Sequence, residues 1–324
     1  MLYPLKFTPR LKEMIWGGSR LTGAGKKPQK NQNPDKIGES WEISGVDGDV
    51  SVVSNGVLRR NNLAELIEVY MGDLVGDKVF DKYGLEFPVL LKFIDSRDKL
   101  SVQVHPSDKF AEEHDSSRGK TEMWYIVDAD PDGAIYLDFE RKTTKEEYLS
   151  AVADGTVDRL LHKIDVKKGE AYFVPAGTVH AICSGVLIAE IQETSDVTYR
   201  IYDWGRLGKD GRPRQLHTEQ AAEVINFTPR TDLDITRRPR AGESAQLVSC
   251  EHFTVNLICL DGAIEADYAP LDSFVAYMCV EGEAEIICGG ERETVAALES
   301  VLIPAQANDV TLKGHAKLLE IFLK

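Results

Sequence analysis

Several things are missing from this chain. No run of apolar residues approaches the roughly 18 that a membrane-crossing helix needs, so no membrane partner is expected. There is no Walker-type or dinucleotide-type glycine loop to hold a nucleotide. Cysteine is sparse. The five residues, Cys183, Cys250, Cys259, Cys279 and Cys288, are odd in number, form no C-x-x-C pair, and read as reduced core residues. The N-terminal stretch MLYPLKFTPRLKEMIW is broken by Pro4, Lys6, Pro9 and Arg10 and lacks the uninterrupted apolar core of a signal peptide; with the reduced cysteines this predicts a cytoplasmic location. Positive charge is also short, with 38 Lys and Arg against 53 Asp and Glu. The resulting net charge of −15 repels nucleic acid, so no nucleic-acid partner is expected either.

What is present is ordinary globular material, 43% hydrophobic and 28% charged, in 324 residues, a length that suggests about two domains. From residue 87 onward short β-like runs alternate with turn residues: PVLLKFID, LSVQVH, EMWYIVDA, AIYLDF, EAYFVP, GVLIAEI and VTYRIYDW. This pattern points to a sandwich or barrel. Helical periodicity is confined to a few places. Leu63, Leu66, Ile67, Tyr70, Met71 and Leu74 make one apolar stripe, Thr144 and Glu147 make a capping box for a helix ending near Gly155, and a third helix spans about 218 to 226. The polar stretch TPRTDLDITRRPRAGESAQ then suggests a boundary between domains at 1–228 and 229–324, the first with helical insertions at about 60–80 and 144–162 and the second again strand-rich.

Chemistry concentrates in the first part. In LSVQVHP, the side chains of Ser101, Gln103 and His105 share one face of a strand while Val102 and Val104 take the other. The polar face is either the solvent side of a sheet or a polar pocket, and spacing leaves both open. Glu122 opens EMWYIV, an unusual place for a carboxylate, with Lys120 two residues earlier. GEAYFVPAGTVHAI fits G-x5-P-x-G-x2-H through Gly169, Pro175, Gly177 and His180, a strand whose Pro-Gly turn aims the histidine back toward a barrel. On VTYRIYDW, Arg200 is either an ordinary surface arginine or an inward one, which is costly unless it meets an anion. Beyond it, Arg206, Lys209, Arg212 and Arg214 form a basic loop, read as mobile and either suited to a phosphorylated substrate or a solvated loop with balancing aspartates.

The VPAGTVHAI segment resembles the second motif of the cupin superfamily, and SVQVHP followed by Glu122 resembles a variant of the first with Gln in place of one His. Together with IWGG, GESWEI, FPVLLKFID, GKTEMWYI and ETSDVTYRIYDWGR, these segments resemble the type I phosphomannose isomerases in their shorter bacterial form, over most of residues 1–217. The resemblance implies a mainly β chain of two cupin-type jelly-roll domains with a few short helices, the second without a metal site. It implies one divalent ion, normally Zn2+, held by Gln103, His105, Glu122 and His180. It aligns Arg200 with an active-site arginine, Lys120 with the lysine two residues before the glutamate ligand, Glu190 with a further acid, and Ser101 with a polar or phosphate contact. Two imidazoles and a carboxylate with an open position make a catalytic rather than a structural zinc site.

The implied reaction is aldose–ketose exchange between D-mannose 6-phosphate and D-fructose 6-phosphate through an enediol. Arg200 would stabilise developing charge, and Glu190, Lys120 or hydroxide on the ion would move the proton. Barrel and ligands alone also fit another metal cupin, such as a dioxygenase or a sugar-phosphate isomerase of other specificity, or a non-catalytic phosphosugar-binding regulator. The expected partner is a small phosphosugar, and the expected state a monomer or weak homodimer.

Overall fold

The computed structural model describes residues 2–208 and 210–324, so Lys209 of the basic loop lies outside the described residues. The chain is mainly β, as expected, and divides into two compact units, one of residues 1–10, 41–92 and 236–324 and the other of residues 11–40 and 93–235. It passes between them within the strands Arg10–Gly18, Ile37–Ile43 and Val89–Ser96. The break at 235/236 lies inside the polar stretch singled out above. Residues 60–80, expected as an insertion in the N-terminal domain, instead group with the C-terminal strands.

Long-range contacts account for that grouping. Phe274 N donates to Val75 O, Ala305 N to Leu74 O and Gln306 N to Asp73 O, while the rings of Phe87 and Phe274 lie 4.6 Å apart. The apolar stripe forms no single helix. It is cut into Leu63–Tyr70, Gly72–Val75 and Asp77–Tyr83 by Met71 at φ 45° and Gly76 at φ 96°. At Gly76 a side chain would meet Asp272 O at 2.4 Å, and the Asp272 carboxylate caps the next turn by accepting from Asp77 N at 2.7 Å and Lys78 N at 3.2 Å. Three 14-residue strands, Thr254–Asp267, Val275–Cys288 and Asp309–Phe322, dominate this unit's six-stranded sheet and enclose its apolar core.

The other unit holds two sheets. One has the order Ala171–Val174, Glu122–Ala129, Val186–Glu193, Val89–Ser96, Arg10–Gly18, Ile37–Ile43; the other has Tyr199–Tyr202, Val102–Val104, His180–Ile182, Ala134–Phe139, Leu161–Asp165. Trp124, Ile126 and Ile188 of the first share a core with Ile135, Leu137 and Ile182 of the second, which is jelly-roll packing without hydrogen-bonded closure of the two sheets into one barrel.

Alternation decides which face looks inward. Val102, Val104, Ala181, Tyr199 and Ile201 pack outward on Tyr148 and Ala151 of helix Lys145–Ala153 and on Ala221 and Ala222 of helix Thr218–Val224. Gln103, His180 and Arg200 therefore take the opposite, inner face. The Lys145–Ala153 helix starts at Thr144, whose hydroxyl accepts from Glu147 N at 3.2 Å. The reciprocal half of the expected box is absent because the Glu147 carboxylate pairs with Arg141.

Candidate metal centre

Three neighbouring strands set a row across one sheet, in which Gln103 pairs with His180 on one side and with Arg200 on the other. On the facing sheet Glu122 pairs with Gln192, and Trp124 with Glu190. His105 follows its strand directly, and Gly177 N donates to His105 O at 2.9 Å, tying the Pro-Gly turn to the first motif. The left-handed φ of 85° at Gly177 is what this turn needs, and a side chain there would meet Val224 O at 2.9 Å.

The result is one buried group. His180 Nε2 lies 3.4 Å from Glu122 Oε1, His105 Nε2 lies 3.6 Å from Glu122 Oε2, and the ligand atoms of these three residues all fall within 4.8 Å of one another. Tetrahedral zinc with bonds of about 2.0–2.1 Å spaces its donors by about 3.4 Å, so the spacing fits such an ion. The imidazoles are also set in the right tautomer. His105 Nδ1 lies 2.8 Å from Val197 O and His180 Nδ1 2.9 Å from Thr178 O; a carbonyl only accepts, so each Nδ1 carries the proton and each Nε2 turns a lone pair inward.

Gln103 Nε2 donates to His180 Nε2 at 3.2 Å, and a half-turn of the amide would bring its oxygen to the same point as a fourth donor. Lys120 Nζ lies 3.0 Å from Glu122 Oε2 and 3.1 Å from His105 Nε2, so its ammonium shares the ligand atoms. Glu190 is held by Trp124, whose indole N–H donates to Oε2 at 3.0 Å. Ser101 is buried, but among the described residues its hydroxyl makes no hydrogen bond to any ligand.

Arg200 is half-buried. Its Nη1 donates to Gln215 O at 3.1 Å, and among the described residues its buried Nε has no hydrogen-bond partner. Burial, and then the like charges of Arg214 and Arg206, push the guanidinium's pKa below its ordinary value, with Asp203 opposing them. The basic loop, expected to be mobile, folds back. Arg214 donates to both oxygens of the buried Asp203 at 2.6 and 2.7 Å, and Arg206 to one at 2.7 Å. These bonds outweigh burial and lower the Asp203 pKa. Two of the basic groups that suggested a phosphate patch are thereby satisfied internally.

Residues 4–139 match the family described as "Phosphomannose isomerase type I, catalytic domain", and residues 243–323 match "Mannose-6-phosphate isomerase, cupin domain". Mannose-6-phosphate isomerase ManA of Bacillus subtilis is 34% identical over 320 residues, covering 97% of each chain. The chain belongs to the type I mannose-6-phosphate isomerases. A second relative of the family, from Streptococcus mutans, is 36% identical over 98% of each chain. The crystal structure of mannose 6-phosphate isomerase from Bacillus subtilis superposes with a TM-score of 0.87 at 33% identity, covering 99% of each chain.

His217, a histidine outside the expected ligand set, sits beside Arg200. Its Nδ1 accepts from Arg200 N at 3.1 Å, and its own N–H donates to Arg200 O at 2.7 Å. Burial, and then the Arg200 charge, lower its pKa from 6.5, while Asp115 opposes them. A His whose folded pKa is depressed stabilises the fold above its unfolded value and loses that contribution as pH falls through the folded one. Acidification from neutral pH should therefore cost the wild type more stability than a His217→Asn variant, read from urea midpoints at both pH values. Parallel losses would show that His217 is not a linked group.

Proposed function

We propose that this chain interconverts D-mannose 6-phosphate and D-fructose 6-phosphate with one divalent ion, normally zinc, held by His105, Glu122, His180 and the turned amide of Gln103. The observation that carries the reading is the pair of inward lone pairs on His105 and His180, facing Glu122 on the inner surface that Arg200 and Glu190 share. When bound, the ion would act as Lewis acid and template for the sugar's carbonyl and hydroxyl oxygens.

Moving a proton between C1 and C2 needs a base near both carbons and donors for the oxygen that becomes negative. Glu190, a carboxylate oriented by the Trp124 indole, is the base in this reading. Arg200 offers the Nε–H that burial leaves without a partner, aimed at the developing oxyanion or the phosphate. A dication would repel the Lys120 ammonium from Glu122 and free it to meet an anionic oxygen of the substrate. Ser101 would add a polar contact.

A coupled isomerase assay on mannose 6-phosphate tests this directly. Turnover should vanish on chelation and return with zinc, manganese or cobalt. A metal-loaded protein without turnover would overturn the reading.

A further inference from the structure

Gln192 has no part in the chemistry just described, yet it is completely buried and lies directly across the strand ladder from Glu122. Both hydrogens of its amide are used. Nε2 donates to Glu193 O at 2.8 Å and to Ser195 O at 2.7 Å, so the amide cannot flip, and among the described residues its buried Oε1 has no hydrogen-bond partner. A buried, unsatisfied acceptor costs stability, so a side chain tolerated there needs a reason other than packing.

The segment it grips supplies one. Ser195 Oγ donates to Arg118 O at 2.9 Å and accepts from Val197 N at 3.3 Å, which anchors the peptide on the N-terminal side of Val197. The Val197 carbonyl is the acceptor for His105 Nδ1. Glu193, next to Gln192, accepts from Thr121 N at 2.6 Å and donates its own N–H to Thr121 O at 3.1 Å, holding the residue between Lys120 and Glu122.

We propose that Gln192 is a positioning residue for the metal centre, bracing residues 193–197 so that the Val197 carbonyl holds His105 in its metal-binding tautomer and orientation. It touches neither ion nor substrate and acts through Ser195, Val197 and His105. The inference rests on the metal centre of the proposed function, and its test separates the two.

The test is metal binding, measured by competition between the protein and a chromophoric chelator for zinc, together with the visible spectrum of the cobalt-loaded protein. Gln192→Met keeps the length, removes both donations and removes the orphan oxygen. The zinc dissociation constant should rise, by up to the roughly 10–100-fold that follows outright loss of an outer-shell partner of a ligating histidine, and the cobalt bands should shift. The melting temperature of the metal-free protein should fall only modestly, because the carbonyls of Glu193 and Ser195 lose a donor while the unsatisfied oxygen is removed with it. Ser195→Ala, which breaks the same relay one link further on, should weaken zinc in the same direction and decides the matter if Gln192→Met does not fold. Unchanged zinc affinity and cobalt spectrum in the folded variants would overturn the brace while leaving the metal centre intact. A wild type that binds no zinc would overturn both.

Discussion

Replacing His180 by alanine is expected to remove metal and activity together while the protein stays folded. The imidazole is fully buried on the inner face, its Nδ1 committed to Thr178 O and its Nε2 facing Glu122, so no neighbouring group can take its place. Polarisation of a carbonyl by an ion is worth several kcal/mol, and at 1.36 kcal/mol per decade the loss should be about 10^3-fold or more in kcat. Folding should survive because the strand His180–Ile182 is held by ladders on both sides, to Gln103 and to Leu137, Tyr136 and Ile135. The cost should be that of a cavity beside Trp124, whose ring packs edge-on to His180 at 5.3 Å. Metal content by atomic absorption and kcat on mannose 6-phosphate check this. Full activity would take His180 out of the site, and loss of activity with metal retained would assign it a different role.

Arg200→Ala should behave differently. Metal content should be unchanged and kcat should fall about 10^2–10^3-fold, the range for deleting one preorganised donor at a developing oxyanion. Stability should hold or rise. The guanidinium is half-buried, carries an unsatisfied Nε and stands beside Arg214 and Arg206, so removing it relieves a charge that burial already disfavours. Arg200→Lys should rescue little, since a point charge on a flexible stem does not reproduce the planar fork. Measuring kcat, zinc content and melting temperature on the same preparations separates the cases. A variant that melts well below the wild type and loses zinc would show that Arg200 is structural.

Much of the candidate site's clustering was legible because its signals are local. Parity puts Ser101, Gln103 and His105 on one face of a strand, and a Pro-Gly turn five residues before His180 marks a chain about to reverse. Whether that face looks inward is not local, because it depends on Tyr148, Ala151, Ala221 and Ala222, which come from helices 40 to 120 residues further on and cover the valine face. The groups that orient the histidines were invisible for a different reason. They are the backbone carbonyls of Val197 and Thr178, and a carbonyl has no residue identity.

Of the two readings of the basic loop, the one with balancing aspartates holds for Arg206 and Arg214: both bond the buried Asp203, which spacing alone could not single out from the other acids nearby. The helical segment around residues 63–83 was assigned by proximity in sequence. The atoms that hold it, on Asp272, Phe274, Ala305 and Gln306, lie some two hundred residues away. Gln192 gave no signal at all, since a glutamine in a β-run is ordinary until its Oε1 is found buried without a partner.

The most direct test is a crystal of the zinc-loaded protein with anomalous differences recorded on both sides of the zinc edge. A single peak is expected at about 2.0–2.2 Å from His105 Nε2, His180 Nε2, a Glu122 oxygen and the turned Gln103 oxygen. A peak anywhere else, or none in crystals of a protein that turns over, would contradict the account.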